Sequence, residues 1–507
     1  FPKLQGYATA VVLCPDLSPF QDNIFTLCDW VEAGGRCMFF ATLDPTVVFR
    51  SIASKLGIVD GGVGYTSVVG LKIQDNFMVG AAGFEYAWEE PSASVLNVRL
   101  DAACTVHVAS NGANAVPMLW ERNYGKGRFV VNNHGMCEKV TRGLTAAAYS
   151  LLQDVFAYPV INSSVFFLDD FPSPVPMGNG EYIRKYFGRD ISSFYSNIWW
   201  PDMLKIAEKH GVRYTGVVIE DYSERTSGNF PRTTDTERFR YFGGLLLEKG
   251  GEIGIHGYNH MPLCPDGFDF LGKVDYETWP TANDMRSAIA ELMDFTKTLF
   301  PKNTISTYVP PSNILSAEGR AMLAESFPEI RTLSGVFLKE DYEYEQEFCV
   351  SDDGIVELPR IISGAILDPY MRWAAFNELN FQYVNSHFIH PDDVLDEDRG
   401  AALGWNTLRD NLDGYMDWLY GAAPGLRNQT AAEASRAVQR YDCLTVDRTL
   451  ENGVYRLNLQ GFADEAYLLL RLDGRCQKIT GGSLEQVNGS LYVLRATAPE
   501  VTVVLAS

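Results

Sequence analysis

No run of about 20 uninterrupted apolar residues occurs in the 507-residue chain, so no helical membrane span is expected. Basic charge is short: 42 Lys and Arg stand against 64 Asp and Glu, a formal net charge of −22. That balance argues against nucleic acid as a partner, because phosphate binding needs a basic face. The nine cysteines form no CxxC pair and are irregularly spaced. This excludes a cysteine-based zinc site and a disulfide framework, and leaves room for one or two disulfides. No secretory signal is visible at the start, and there is no internal repeat or low-complexity tract. What remains is ordinary globular composition, 46% hydrophobic and 21% charged. At about 100–200 residues per domain, the length suggests two to four domains.

The chain divides by pattern into three units, 1–155, 156–425 and 426–507. In the first, a strand over 7–13 precedes an amphipathic helix over 18–33, with Ile24, Leu27, Cys28 and Val31 on one face. Gly34-Gly35 closes the helix and 36–41 is the next strand, a βαβ unit with parallel strands. A further strand over 127–132 leads into a helix over about 139–154. Helix, Gly-Gly, strand and the later GKGRFVVNNHG resemble flavodoxin-like domains of the class I glutamine amidotransferase type. No nucleophile elbow accompanies them: Cys14 is followed by Pro15, and Cys104 lies in a strand-like stretch. His134 reads as structural, and the unit as a non-catalytic scaffold or binding domain.

In the second unit, apolar strands over 165–168, 214–219, 252–255, 305–309, 331–337, 355–358 and 382–388 alternate with helices, which predicts an α/β barrel. Catalytic residues of such barrels sit at the carboxyl ends of strands. Asp169 and Asp170 end the apolar run Val165–Leu168. His256 and His260, spaced four apart, follow the strand over 252–255, and His387 and His390 end the last. Buried acids need partners, and two imidazoles with a carboxylate make a metal site with open positions for water. Read one at a time, an Asp-Asp pair caps a loop or helix and a His-x-x-x-His is incidental. Their shared placement at strand ends favours a site. Consecutive strand residues point to opposite faces, so Asp169 and Asp170 converge only where the strand breaks, expected at Phe171-Pro172. Trp199, Trp200, Trp405 and Asn406 read either as a sugar-stacking groove or as core. The third unit reads as a helix over 431–440 followed by a small β-sandwich, for packing first and sugar binding second.

Leu168-Asp169-Asp170 followed by His256-Gly257-Tyr258-Asn259-His260 resembles the polysaccharide deacetylase superfamily, the NodB-homology domain of carbohydrate esterases. The resemblance covers about residues 160–425 and implies a deformed (β/α)7 barrel. It implies Asp169 as general base, and Asp170, His256 and His260 as ligands of a divalent metal, Zn²⁺ first. Tyr308–Asn313 resembles the family's third motif, with Pro311 and Asn313 as substrate-groove residues, but lacks its arginine, for which Arg360 is the substitute. The catalytic acid is His387 or His390, and the sequence does not choose; Trp405 is a further substrate-groove candidate. With its amidotransferase-like front and β-rich tail, the whole resembles the larger multidomain deacetylases of secreted hexosamine (galactosamine-containing) polysaccharides. The implied activity is N-deacetylation of an N-acetylhexosamine polysaccharide outside the cell, extracytoplasmic, secreted or at the cell surface, of the kind found in biofilm exopolysaccharide. Two alternatives stand beside it: an O-acetyl esterase using the same residues, and a non-catalytic glycan-binding or scaffold protein.

Overall fold

A computed structural model describes residues 1–88, 93–172, 178–338 and 343–506. The fold is mixed α/β. Its centre is a nine-stranded sheet in the order Cys349–Val350, Val356–Glu357, Thr332–Leu333, Thr307–Tyr308, Glu252–Ile255, Tyr214–Val218, Ser163–Phe171, Val384–Ile389 and Ile362–Ser363. Every pairing is parallel except that of Cys349–Val350. The sheet is curled into a half-barrel: the chain passes from Val356–Glu357, near one edge, almost directly into Ile362–Ser363 at the other. All nine residues of Ser163–Phe171 are buried, as a central strand covered on both faces requires.

The covering helices follow their sequence signals. Trp200–His210 ends at Gly211, whose φ of +69° makes the left-handed C-cap. In Ala282–Leu299, Thr281 caps the first turn, and Met285, Ile289, Leu292 and Phe295 are buried in the core. Helices Pro369–Phe381 and Trp405–Ala422 complete the layer.

The front of the chain departs from a flavodoxin-like sheet. Only Thr9–Val12, Arg36–Phe39 and Gly127–Asn132 are parallel. Pro117–Tyr124, Cys104–Ser110, Gly70–Ile73 and Glu85–Ala87 extend the same sheet antiparallel. The reason is local: Tyr124-Gly125-Lys126-Gly127 is a tight hairpin, with Gly125 at φ +60°, and a hairpin can join only antiparallel strands.

The C-terminal strands form two four-stranded sheets over a shared apolar core. One of them takes in Val155–Val160, which pairs antiparallel with Ala466–Leu472. Helix Ala431–Asp442 lies against Ser163–Phe171 and Thr332–Leu333 of the curled sheet and also touches Ala466–Leu472. All nine cysteines are unpaired. No helix among the described residues is long and apolar enough to cross a membrane.

Candidate active site

The two aspartates converge through a bulge, not at the expected break. Ser163–Phe171 pairs with Tyr214–Val218 through Leu168↔Gly216 and then Phe171↔Val218, so Asp169 and Asp170 together face one residue. Asp170 takes φ +52°, the left-handed region that a bulge uses to re-aim a side chain. The strand itself runs on through Phe171. On its other side the last pair is Leu168↔Ile389, so the next residues outward are Asp169 and His390.

The floor of the cleft is ionic and buried. Arg360 Nη1 donates to Asp169 Oδ2, and its Nη2 donates to Asn313 Oδ1. The guanidinium also stacks on Phe388 at 4.1 Å and is 2% exposed. Burial alone pushes the Asp169 carboxyl up, but the facing charges, Arg360 foremost, outweigh it and hold the group below its ordinary value. Arg360 lies in the link that crosses between the two sides of the curled sheet, remote in sequence from the Tyr308–Asn313 segment.

His256 and His260 meet the other aspartate. His256 Nδ1 lies 2.8 Å from the Val309 carbonyl, which only accepts. The proton therefore sits on Nδ1, and the Nε2 lone pair faces Asp170 Oδ1 at 3.6 Å. His260, at φ +59°, brings its Nε2 to 3.7 Å from the same oxygen. The three ligand atoms lie within 4.8 Å of one another. Among the described residues, the buried Asp170 Oδ1 has no hydrogen-bond partner, and burial pushes its carboxyl up to about 7. Burial also drives His256 down to about 4 and His260 to about 3, keeping both imidazoles neutral. An orphaned carboxylate oxygen facing two neutral imidazole nitrogens fits a divalent cation with open positions. Among the described residues a second group of metal-type ligands, His210, Asp413 and Asp417, also occurs. There the Lys209 ammonium sits 2.8–2.9 Å from both carboxylates and already supplies the cation.

The two late histidines part company. His390 lines the cleft, with Nε2 3.8 Å from Asp169 Oδ2 and Nδ1 3.6 Å from Asp393 Oδ1. Burial opposes its charge, but Asp393, Asp169 and Asp170 together raise it to about 9. His387 lies inside its strand, opposite Phe166, with its ring against Phe166 and Tyr415. Its Nε2 is held 2.6 Å from the Gly364 carbonyl, and burial lowers it to about 4. A neutral core imidazole is no proton donor to the cleft, so His387 is set aside as the acid.

The cleft encloses about 730 Å³ and is lined by Asp169, Asp170, His256, His260, Asn313, Arg360 and His390 among others. Trp405 is corrected out of it. Its ring packs on Trp199, and its Nε1 donates to Asp202 at 3.1 Å because the first turn of its helix is buried against Trp200–His210. Trp199 and Trp200 are likewise core. Pro311 is buried beside Gly257, where an added Cβ would stand 2.9 Å from its Cγ. Sequence reasoning missed Asp393, which also pairs with Arg399 at 3.2 Å. The signal was an acid three residues after His390, the spacing of a cap.

Among solved structures, the chain is similar to Agd3, described as a novel carbohydrate deacetylase, with a TM-score of 0.59 and 11% identity over 99% of this chain and 91% of that one. Weaker matches include the peptidoglycan deacetylase PdaC from Bacillus subtilis, with a TM-score of 0.28 and 10% identity over 55% of this chain and 91% of that one. Another is BA3943 from Bacillus anthracis, a CE4 family pseudoenzyme, with a TM-score of 0.30 and 12% identity over 55% and 66%. At such identities the likeness is one of fold alone. No curated protein sequence matches the chain. The family profile described as "Uncharacterised protein conserved in bacteria (DUF2194)" matches residues 91–493, and the chain belongs to that family.

Proposed function

We propose that the protein is a metal-dependent N-deacetylase that hydrolyses acetamide groups of an N-acetylhexosamine-containing polysaccharide outside the cell. The observation that carries this reading is the convergence of three parts in one cleft: Asp169 bound by Arg360, a cation-type donor set at Asp170, His256 and His260, and His390 set between Asp169 and Asp393. Asp170, His256 and His260 would hold the ion, with Zn²⁺ the best fit to one oxygen and two nitrogen donors. When bound, it supplies Lewis acidity toward the acyl oxygen and lowers the pKa of water.

The side chains do the proton work. Asp169, kept ionised by Arg360, takes a proton from the attacking water. His390, kept charged by Asp393, delivers a proton to the amide nitrogen as its bond to the acyl carbon breaks. Acetate and a free amine result. Asp169 and His390 stand 3.8 Å apart at their nearest atoms, so the proton gained by one restores the other. The Ser312 backbone N–H is the candidate donor to the developing oxyanion, since Pro311 has no N–H and that of Asn313 is held by the Pro310 carbonyl. Asn313 and Arg360 border the substrate.

The test is acetate release from N-acetylated and O-acetylated hexosamine oligosaccharides, with and without chelator. Release from the N-acetylated substrate that chelator abolishes supports the proposal. Release from the O-acetylated one alone makes the protein an esterase. No release from either leaves a glycan-binding protein.

A further inference from the structure

His260 and the cleft wall are joined by one phenol. Tyr276, on the excursion between His260 and helix Ala282–Leu299, places its Oη 3.2 Å from His260 Nδ1 and 2.6 Å from Ser312 Oγ. The ring is part-buried beside Phe270, and Ser312 lines the cleft. Ser312 sits in a tight turn at φ +47°, which points to a conformation held for a purpose, since it is one that side-chain-bearing residues rarely adopt.

The direction of the two hydrogen bonds follows from His260. For Nε2 to present a lone pair toward Asp170 and a cation, the ring proton must be on Nδ1. Nδ1–H then donates to Tyr276 Oη. The phenol, accepting there, has its own proton to give, and Ser312 Oγ is the acceptor at hand. A phenol carries its proton at neutral pH and is able to donate it. Ser312, having accepted, keeps its own O–H for an acceptor in the cleft.

We infer that Tyr276 is a positioning residue that fixes the tautomer and orientation of His260 and, through the same phenol, turns the Ser312 hydroxyl into a donor to a substrate oxygen in the cleft. This rests on the metal site proposed above. It adds that one side chain ties the geometry of the cation to recognition of the substrate.

The experiment measures Zn²⁺ affinity of apo-protein by competition with a chromophoric chelator, alongside kcat and KM at saturating Zn²⁺. The variants are Tyr276→Phe, which keeps the ring, and Ser312→Gly, which suits the positive φ. Expected for Tyr276→Phe is Zn²⁺ binding weakened about tenfold or more, the usual effect of losing the partner of a ligand histidine, with the melting temperature near that of the native protein. Expected for Ser312→Gly is Zn²⁺ affinity within about threefold of native and kcat/KM reduced about three- to tenfold, the size of one lost hydrogen bond. Native Zn²⁺ affinity in Tyr276→Phe, or native kcat/KM in Ser312→Gly, overturns the inference while leaving the deacetylase reading intact. A native protein that binds no Zn²⁺ overturns both.

Discussion

Among the described residues, two crevices lie at the carboxyl ends of parallel strands, and one of them has the makings of an active site. The front crevice, about 570 Å³, opens beyond Thr9–Val12, Arg36–Phe39 and Gly127–Asn132 and is walled by Tyr65, Tyr86, Trp88 and Trp373. The curled-sheet cleft opens beyond Ser163–Phe171, Glu252–Ile255 and Val384–Ile389. Strand ends of α/β sheets are favoured sites for ligands in both settings. A histidine follows a strand at each. His134 and His256 are equally buried, and burial pushes both down to about 4. His134, however, has no hydrogen-bond partner on either ring nitrogen among the described residues. His256 is held by Val309 on one side and faces two carboxylates on the other. A perturbed imidazole is thus not by itself a functional one; what distinguishes the cleft is the charge arranged opposite it.

The largest effect that follows is on the base. Asp169→Asn should lower kcat by about 10²- to 10⁴-fold, the usual worth of a general base, while unfolding measurements show a folded protein with reduced stability because Arg360 loses its buried partner. Activity within tenfold of native would erase the distinction between the two crevices.

Next comes the pair that the sequence left unresolved. His390→Ala should cost kcat about 10²-fold or more with little loss of melting temperature. His387→Ala should do the reverse, lowering stability by about 2–4 kcal/mol through a cavity and a lost hydrogen bond, while the folded fraction keeps its kcat. In the native protein, kcat/KM should fall as pH rises through about 9, where His390 gives up its proton.

Removing Arg360 sharpens the electrostatic side of the comparison. In Arg360→Met, burial is no longer offset at Asp169, so its pKa rises. The acid limb of kcat/KM, which native Arg360 keeps below the ordinary carboxylate value, should move to higher pH by about one unit or more. An unmoved acid limb would mean that Asp169 is not the titrating base. Smallest of all should be His134→Leu. Replacing an unpartnered buried polar group with an apolar one of similar size is close to neutral for stability, and kcat should stay within about twofold.

Much of the cleft was legible because few residues carry the chemistry. The chain has only seven histidines, and His256, His260 and His390 all follow apolar runs that end abruptly. The convergence of Asp169 and Asp170 was legible as a requirement but not as a mechanism. A left-handed aspartate in a bulge leaves no mark in the residue pattern. The choice between His387 and His390 depended on register and ring direction, which three residues of spacing do not encode. Trp405 misled because an indole beside polar residues reads alike in a groove and at a buried helix start.

In the front unit the strand Ile58–Val68 is mostly exposed and glycine-containing, so it lacks the alternation that marks a half-buried strand. Val155–Val160 escaped because its partners lie some 300 residues away, in Ala466–Leu472, and long-range pairing is invisible to local periodicity. Helix Ala431–Asp442 was read with the tail because it precedes the tail's strands, yet its buried Ala431, Ala434, Ala437 and Val438 pack with the curled sheet.

The central claim is that the cleft, not the front crevice, holds a catalytic cation on Asp170, His256 and His260. Anomalous diffraction at the zinc edge from a Zn²⁺-loaded crystal tests it most directly. The account predicts a single strong peak bonded to one oxygen of Asp170 and to Nε2 of His256 and His260. A loaded crystal with no peak there, or with its peak elsewhere, would contradict it.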